Sequence, residues 1–178
     1  ELSDFQKSLS DVVVECMQRK NTTDPNVGLK ISAKVGCMQS LLYYKSIGAT
    51  DMVAINEALF KAARYGHVDI VKLIPEWGVA DGTLNKLHFD MAAMEAAYFG
   101  RIEILKLIKE LGVVKYFQGP LEYAADQGHL EIVKLLIGWD NSYIRDTIIT
   151  ASMNDNLNII KNFKEWGIVD DFEETMEI

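Results

Sequence analysis

Three histidines are the side chains in this sequence best suited to acid–base or metal chemistry, but their spacing assembles no site. A zinc site needs three or four nitrogen, sulfur or carboxylate ligands, and a catalytic base needs a nucleophile within reach. His67 and His129 each follow a glycine directly, while His88 lies in 79–90, the longest predicted connection. No Gly-rich phosphate loop, G-x-S-x-G or H-E-x-x-H pattern occurs. We therefore expect no catalytic residue, cofactor or metal; an enzyme site in 79–90, built around His88 and Asp90, is kept as an alternative.

Composition narrows the classes of partner. The 26 acidic residues outnumber the 18 basic ones, giving a formal charge of −8, which argues against binding to nucleic acid because phosphates are neutralised by Lys and Arg. No run approaches the roughly 18 apolar residues of a membrane span. Cys16 and Cys37 are too few for a disulfide framework, so we expect free thiols and a reducing compartment. These features predict a cytoplasmic protein with a protein partner, and no small-molecule substrate is expected.

Five copies of one pattern supply the elements that position these side chains. Each copy has a pair of small residues, a break three residues later and then an apolar pattern. The copies are ISAKVGCMQSLLYYKSIG (31–48), KAARYGHVDIVKLIPEWG (61–78), EAAYFGRIEILKLIKELG (95–112), YAADQGHLEIVKLLIGWD (123–140) and TASMNDNLNIIKNFKEWG (150–167).

The pattern predicts a pair of helices in each copy. The first helix ends at the break, where glycine adopts a left-handed conformation at no steric cost, and the second helix starts just after it. One pair cannot bury its own apolar face, so the copies must stack on each other. The predicted fold is an all-α helical-repeat solenoid of about five helix pairs. Short segments between the copies leave little room for β-hairpin fingers, except in 79–90, and Pro75 predicts a kink or early end in the second helix of copy two.

The chain divides into three predicted regions. Residues 1–26 form an amphipathic helix that is either an N-terminal cap or part of a further copy, residues 27–167 form the repeat array, and residues 168–178 form an acidic tail.

Exposed positions of the first helices are the predicted binding surface. In a stacked array they form rows along one concave face, where packing does not dictate the side chain. In the central copies these positions are rich in aromatic residues, which with arginine supply most interface hot spots. The predicted protein-binding residues are Lys61, Arg64, Tyr65, Glu95, Tyr98, Phe99, Glu122 and Tyr123.

The repeats resemble the ankyrin family. In GPLEYA (119–124), Pro120, Leu121 and Ala124 match the family's T-P-L-H-x-A signature while Gly119 and Glu122 depart from it, and GHLEIVKLLI (128–137) is close to its second-helix phrase. The resemblance implies an interaction module in which His67 and His129 hydrogen-bond the neighbouring backbone.

A narrower resemblance comes from three tryptophans at equivalent helix ends, Trp77, Trp139 and Trp166. This usage is similar to that of the ankyrin-like multigene-family proteins of African swine fever virus. That resemblance implies a viral protein that binds host factors in the cytoplasm and modulates innate immune signalling or host range. The alternative is a substrate-recruiting adaptor arm of a larger assembly, such as a ubiquitin ligase.

Overall fold

A computed structural model describes residues 24–78, 86–153 and 156–168 of the chain. The predicted N-terminal helix (1–26), the acidic tail (168–178) and the fifth break at Asp155 lie almost wholly outside these ranges. The described part of the chain forms helices and no β-strand, which confirms the all-α prediction.

The helices fall into five pairs. The first helices of copies one to five are α1 (Pro25–Val35), α3 (Met52–Tyr65), α6 (Lys86–Tyr98), α8 (Gln118–Asp126) and α10 (Ile144–Met153). The second helices are α2 (Met38–Ser46), α4 (Val68–Leu73) with its short continuation α5 (Pro75–Gly78), α7 (Ile102–Leu111), α9 (Leu130–Trp139) and α11 (Leu157–Glu165). Each first helix packs on the first helix of the next copy, so α1, α3, α6, α8 and α10 form one continuous layer.

The small-residue pairs allow this close packing. Ala62 and Ala63 of α3, Ala96 and Ala97 of α6, and Ala124 and Ala125 of α8 are all fully buried. Larger apolar residues of the second helices, such as Leu105 and Leu136, fill the space beside them. The core is therefore one cluster that runs through all five copies.

The predicted glycine breaks end the first helices. Gly66 has a φ of 81°, and the amide of the following His67 donates to the carbonyl of Ala62, 2.9 Å away. Gly128 has a φ of 71°, with the same bond from His129 to Ala124 at 2.8 Å. This bond pattern satisfies carbonyls at the helix end and turns the chain into the second helix.

In copies two to five, the residue after the break ties the copy to the one before it. His67 Nε2 donates to the carbonyl of Lys34 at 3.0 Å, and His129 Nε2 to that of Tyr98 at 2.9 Å, which confirms the role implied for both histidines. Arg101 makes the same bond through Nε to the carbonyl of Arg64 at 2.9 Å. Asn156 makes it through Nδ2 to the carbonyl of Asp126 at 2.5 Å and also donates to that of Ala125 at 2.7 Å. Histidine, arginine and asparagine can thus all donate this hydrogen bond to the preceding copy, because the position requires only a donor that reaches the carbonyl.

We expect Asn156→Ala to lower the free energy of unfolding by about 1–3 kcal/mol, since it removes a donor to a partly buried carbonyl. Urea unfolding monitored by circular dichroism measures this loss. Asn158→Ala, at an exposed position two residues further along the chain in α11, is the matched control and should change stability by less than about 0.5 kcal/mol. Equal effects of the two substitutions would show that the tie between copies contributes nothing specific.

Pro75 interrupts the second helix of copy two as predicted. α4 ends at Leu73, Ile74 forms a turn and α5 begins at Pro75. Ile74 remains fully buried, so the break does not open the core. The longest connection is shorter than predicted, because α6 begins at Lys86 and places His88 and Asp90 in a helix.

The tryptophans pack where two copies meet. The ammonium groups of Lys45, Lys109 and Lys134 lie 5.4, 5.4 and 5.1 Å from the ring centroids of Trp77, Trp139 and Trp166 respectively. Each lysine belongs to the copy before its tryptophan, and all three rings also pack against the core. Cation–π contacts at such partly exposed sites contribute about 0.5–1 kcal/mol each. The tryptophans therefore belong to the contacts between copies.

Tyr44 carries a buried hydroxyl with no hydrogen-bond partner within the described ranges. Burial, followed by the neighbouring Tyr43, raises the pKa of this phenol above its usual value of 10.0. Because the folded protein holds this phenol neutral, the free energy of unfolding is unaffected by its titration below the unfolded-state pKa of about 10. It falls as the pH rises from there through the folded-state pKa.

We therefore expect Tyr44→Phe to be neutral or stabilising by up to about 1 kcal/mol at pH 8, because it removes an unsatisfied hydroxyl. Its advantage over the wild type should grow above pH 10, where the unfolded wild-type tyrosine ionises. Urea unfolding at both pH values measures the difference, with the exposed Tyr123→Phe as control. A loss of stability in Tyr44→Phe at pH 8 would contradict the expectation.

Candidate protein-binding site

A groove opens on the exposed surface of the first-helix layer, around copy three. Its volume is about 440 Å³. Four lining residues come from α6 and a fifth, Phe99, directly follows it, while the neighbouring α3 and α8 supply one residue each at the two sides. The lining residues are Arg64, Met91, Met94, Glu95, Tyr98, Phe99 and Tyr123, hereafter called the groove.

One wall of the groove is an ion pair between copies two and three. Arg64 donates from Nε to Glu95 Oε2 at 2.8 Å and from Nη2 to Glu95 Oε1 at 3.0 Å. The hydrogen bond to Glu95 raises the pKa of the Arg64 guanidinium, against the opposing effect of burial. The planar fork of arginine matches the carboxylate, so two parallel bonds fix the orientation of both side chains. Because both groups are partly exposed, we assign the pair to shaping the wall more than to stabilising the fold.

Aromatic rings form the floor and the opposite side. The Arg64 guanidinium lies 4.8 Å from the centroid of Phe99, and Phe99 meets Tyr98 edge to face at 4.9 Å. Tyr98 in turn contacts Tyr123 of the next copy with centroids 6.0 Å apart. The exposed fractions are 37% for Tyr98, 37% for Phe99 and 44% for Tyr123. These rings pack on each other yet keep surface open to solvent, as binding residues must.

The groove contains five of the eight residues that the sequence predicts for binding: Arg64, Glu95, Tyr98, Phe99 and Tyr123. The other three lie outside its lining. Tyr65 stacks on His67 at 6.4 Å and has Lys34 above its ring at 5.7 Å. Glu122 accepts a hydrogen bond from Gln118 at 2.9 Å within α8, and Lys61 is half-buried on α3.

Met91 and Met94 line the groove although the sequence prediction omitted them. The prediction considered only the last turns of each first helix, whereas Met91 lies seven residues before Tyr98 and thus on the same helix face. Helical spacing counted back from Tyr98 would have found Met91, which is 45% exposed. Methionine adapts its shape readily, so the two residues suit a surface that accepts a foreign side chain.

The alternative site in 79–90 receives little support from the described residues. His88 lies in α6 with Nε2 3.0 Å from Asn56 Nδ2, and its ring is 6.4 Å from that of Phe60. Residues 79–85 lie outside the described ranges. Within those ranges no group of three or more His, Cys, Asp or Glu residues is arranged to hold a metal ion.

The comparison with known families is decisive for the class of protein. A family model of ankyrin repeats, in three copies, matches residues 59–151, which is more than half of the chain. The chain belongs to the ankyrin repeat family. A search of curated proteins finds no match.

Ankyrin repeats generally mediate protein–protein interactions and are typically non-enzymatic. The matched residues contain α6 and α8 whole and the last turns of α3, so they contain every residue of the groove. None of the helices in the described ranges has the length and apolar character needed to cross a membrane.

Proposed function

We propose that this ankyrin repeat protein is a non-catalytic interaction module whose protein partner docks on the groove and its surroundings. The observation that carries the proposal is the set of half-exposed rings of Tyr98, Phe99 and Tyr123 beside a fixed Arg64–Glu95 pair. Large rings lose few rotamers on binding, and arginine offers several donors, which is why such residues supply interface hot spots. Tyr65 and Lys61 of copy two, with Glu122 of copy four, extend the contact surface around the groove.

We further propose that the partner is a host signalling factor and that the protein acts in the cytoplasm of an infected cell to modulate innate immunity or host range. The support is the resemblance of its repeated tryptophan positions to the ankyrin-like multigene-family proteins of African swine fever virus. In copies two, four and five these tryptophans contact a lysine of the preceding copy, so the repeated positions have the same structural role in each of the three copies.

Affinity capture tests the proposed function. The wild-type protein and a Tyr65→Ala/Tyr98→Ala variant, both tagged, are incubated with lysate from infected or candidate host cells, and the bound proteins are identified by mass spectrometry. We expect a signalling protein that the wild type retains and the variant loses. Capture of the same proteins by both would contradict docking at this surface, and capture of ubiquitin-ligase subunits would favour the adaptor alternative.

A further inference from the structure

The first-helix surface carries opposite charges at its two ends. Lys34 of α1 is exposed and Lys61 of α3 is half-buried, and neither forms a salt bridge within the described ranges. Glu122 and Asp126 lie on α8, and neither of them forms a salt bridge there either. The surface is therefore basic across copies one and two and acidic in copy four.

Between these ends the groove is electrically balanced and largely apolar. The only charged residues that line it, Arg64 and Glu95, neutralise each other through two hydrogen bonds. Met91, Met94 and the aromatic rings supply the rest of the lining. An apolar side chain can enter here without leaving a charge unpaired, whereas a charged group would have to compete with an ion pair already formed.

The spacing of the two charged ends fits a short extended segment. Packed helices lie about 8–10 Å apart, so the two steps from α3 to α8 span roughly 16–20 Å. An extended chain covers about 3.3–3.6 Å per residue, which corresponds to about five or six residues between the charged contacts. The groove, around the middle helix α6, lies about halfway along that path.

We propose that the partner presents an extended segment with one large apolar side chain, an acidic residue about three positions to one side and a basic residue about three positions to the other. The apolar side chain enters the groove, the acidic residue meets Lys34 and Lys61, and the basic residue meets Glu122 and Asp126. This inference rests on the proposed function and specifies the chemistry of the partner.

Charge complementarity selects this occupant over a polyanion. A nucleic acid strand or an anionic membrane would satisfy the basic end but would meet repulsion at Glu122 and Asp126, and the chain as a whole carries a charge of −8. A uniformly basic segment would be repelled by Lys34 and Lys61 in the same way. Only a segment with both signs satisfies both ends.

Fluorescence anisotropy with four labelled peptides tests the inference. The polarised peptide has two glutamates, a Gly-Ser spacer, phenylalanine, a Gly-Ser spacer and two lysines. One control replaces phenylalanine with alanine, and the others carry four glutamates or four lysines. We expect the polarised peptide to bind at least tenfold more tightly than each control, with the affinity falling as salt rises.

Charge reversal in the protein should switch this preference. Lys34→Glu/Lys61→Glu should weaken the polarised peptide about tenfold and make the four-lysine peptide the tightest ligand. Glu122→Lys/Asp126→Lys should also weaken the polarised peptide about tenfold and should make the four-glutamate peptide the tightest ligand. A substitution that merely disturbed folding would weaken all four peptides together and could not exchange their order.

Equal binding of the four peptides, a preference of the wild type for the four-glutamate peptide, or no binding of the polarised peptide at 1 mM would each overturn the inference. The proposed function has a separate readout, namely loss of the captured partner in Tyr65→Ala/Tyr98→Ala. If that loss occurs while charge reversal leaves partner capture unchanged, the groove binds a protein but the polarity assignment is wrong.

Discussion

Gly28→Ala is expected to lower the free energy of unfolding by about 3 kcal/mol, although alanine is the better helix former. Gly28 is buried in α1, and a Cβ atom there would lie 2.2 Å from Cε1 and Cζ of the Tyr44 ring. The ring is itself buried, with 4% of its surface exposed, so it cannot swing into solvent to make room. The helices of copy one would have to separate, and the melting temperature should fall by roughly 6–12 °C, as measured by differential scanning fluorimetry.

Gly138→Ala is the matched control. Gly138 is also inside a helix, α9, but a Cβ atom there would meet nothing within 4 Å. The helix propensity of alanine should then raise stability by up to about 1 kcal/mol. Introducing Gly28→Ala together with Tyr44→Leu should cost less than the sum of the two single changes, since the smaller side chain relieves the overlap. A Gly28→Ala protein as stable as the wild type would contradict the packing of α1 on α2.

Tyr98→Ala is expected to weaken partner binding at least tenfold while leaving the fold almost unchanged. The side chain is 37% exposed, lines the groove and contacts Phe99 and Tyr123 edge to face. Truncation removes the ring at the centre of the aromatic cluster, where hot-spot losses reach about 2 kcal/mol or more. Because the ring is not in the buried core, the free energy of unfolding should change by less than about 1 kcal/mol.

Tyr116→Ala provides the comparison for binding. Tyr116 is 64% exposed and lies outside the groove, in the segment that joins α7 to α8. Its truncation should leave partner affinity within about twofold of the wild type. Isothermal titration calorimetry with the purified partner measures both variants. If Tyr98→Ala instead lowered the melting temperature by 10 °C, the residue would be a packing residue and its assignment to the binding surface would fail.

The architecture could be predicted well from the sequence because the main structural features of each repeat require particular residue types. Glycine marks the left-handed helix ends at Gly66 and Gly128, and small residues mark close helix contacts at Ala96 and Ala97. Each of these is set by a local rule of geometry, so it can be read without coordinates.

The groove was less accessible to sequence reasoning because its shape depends on which side chains meet across copies. The pairing of Arg64 with Glu95 follows from the register of α3 against α6, and that pair covers Phe99. Met91 lies beyond the helix turns that the repeat pattern emphasises, and the start of α6 at Lys86 could not be placed because the connection before it has no copy elsewhere in the chain. The position of each side chain along its helix was predictable from the sequence, whereas the side-chain contacts between copies were only partly predictable.

Photo-crosslinking of the partner complex determines whether the partner docks on the groove. A photoreactive phenylalanine analogue is placed at position 91 in the groove, at position 116 outside it and at the exposed position 153 of copy five. We expect strong crosslinks to the partner from position 91 and none from position 116 or 153. Crosslinks from position 116 or 153 without any from position 91 would show that the partner binds another surface of the array.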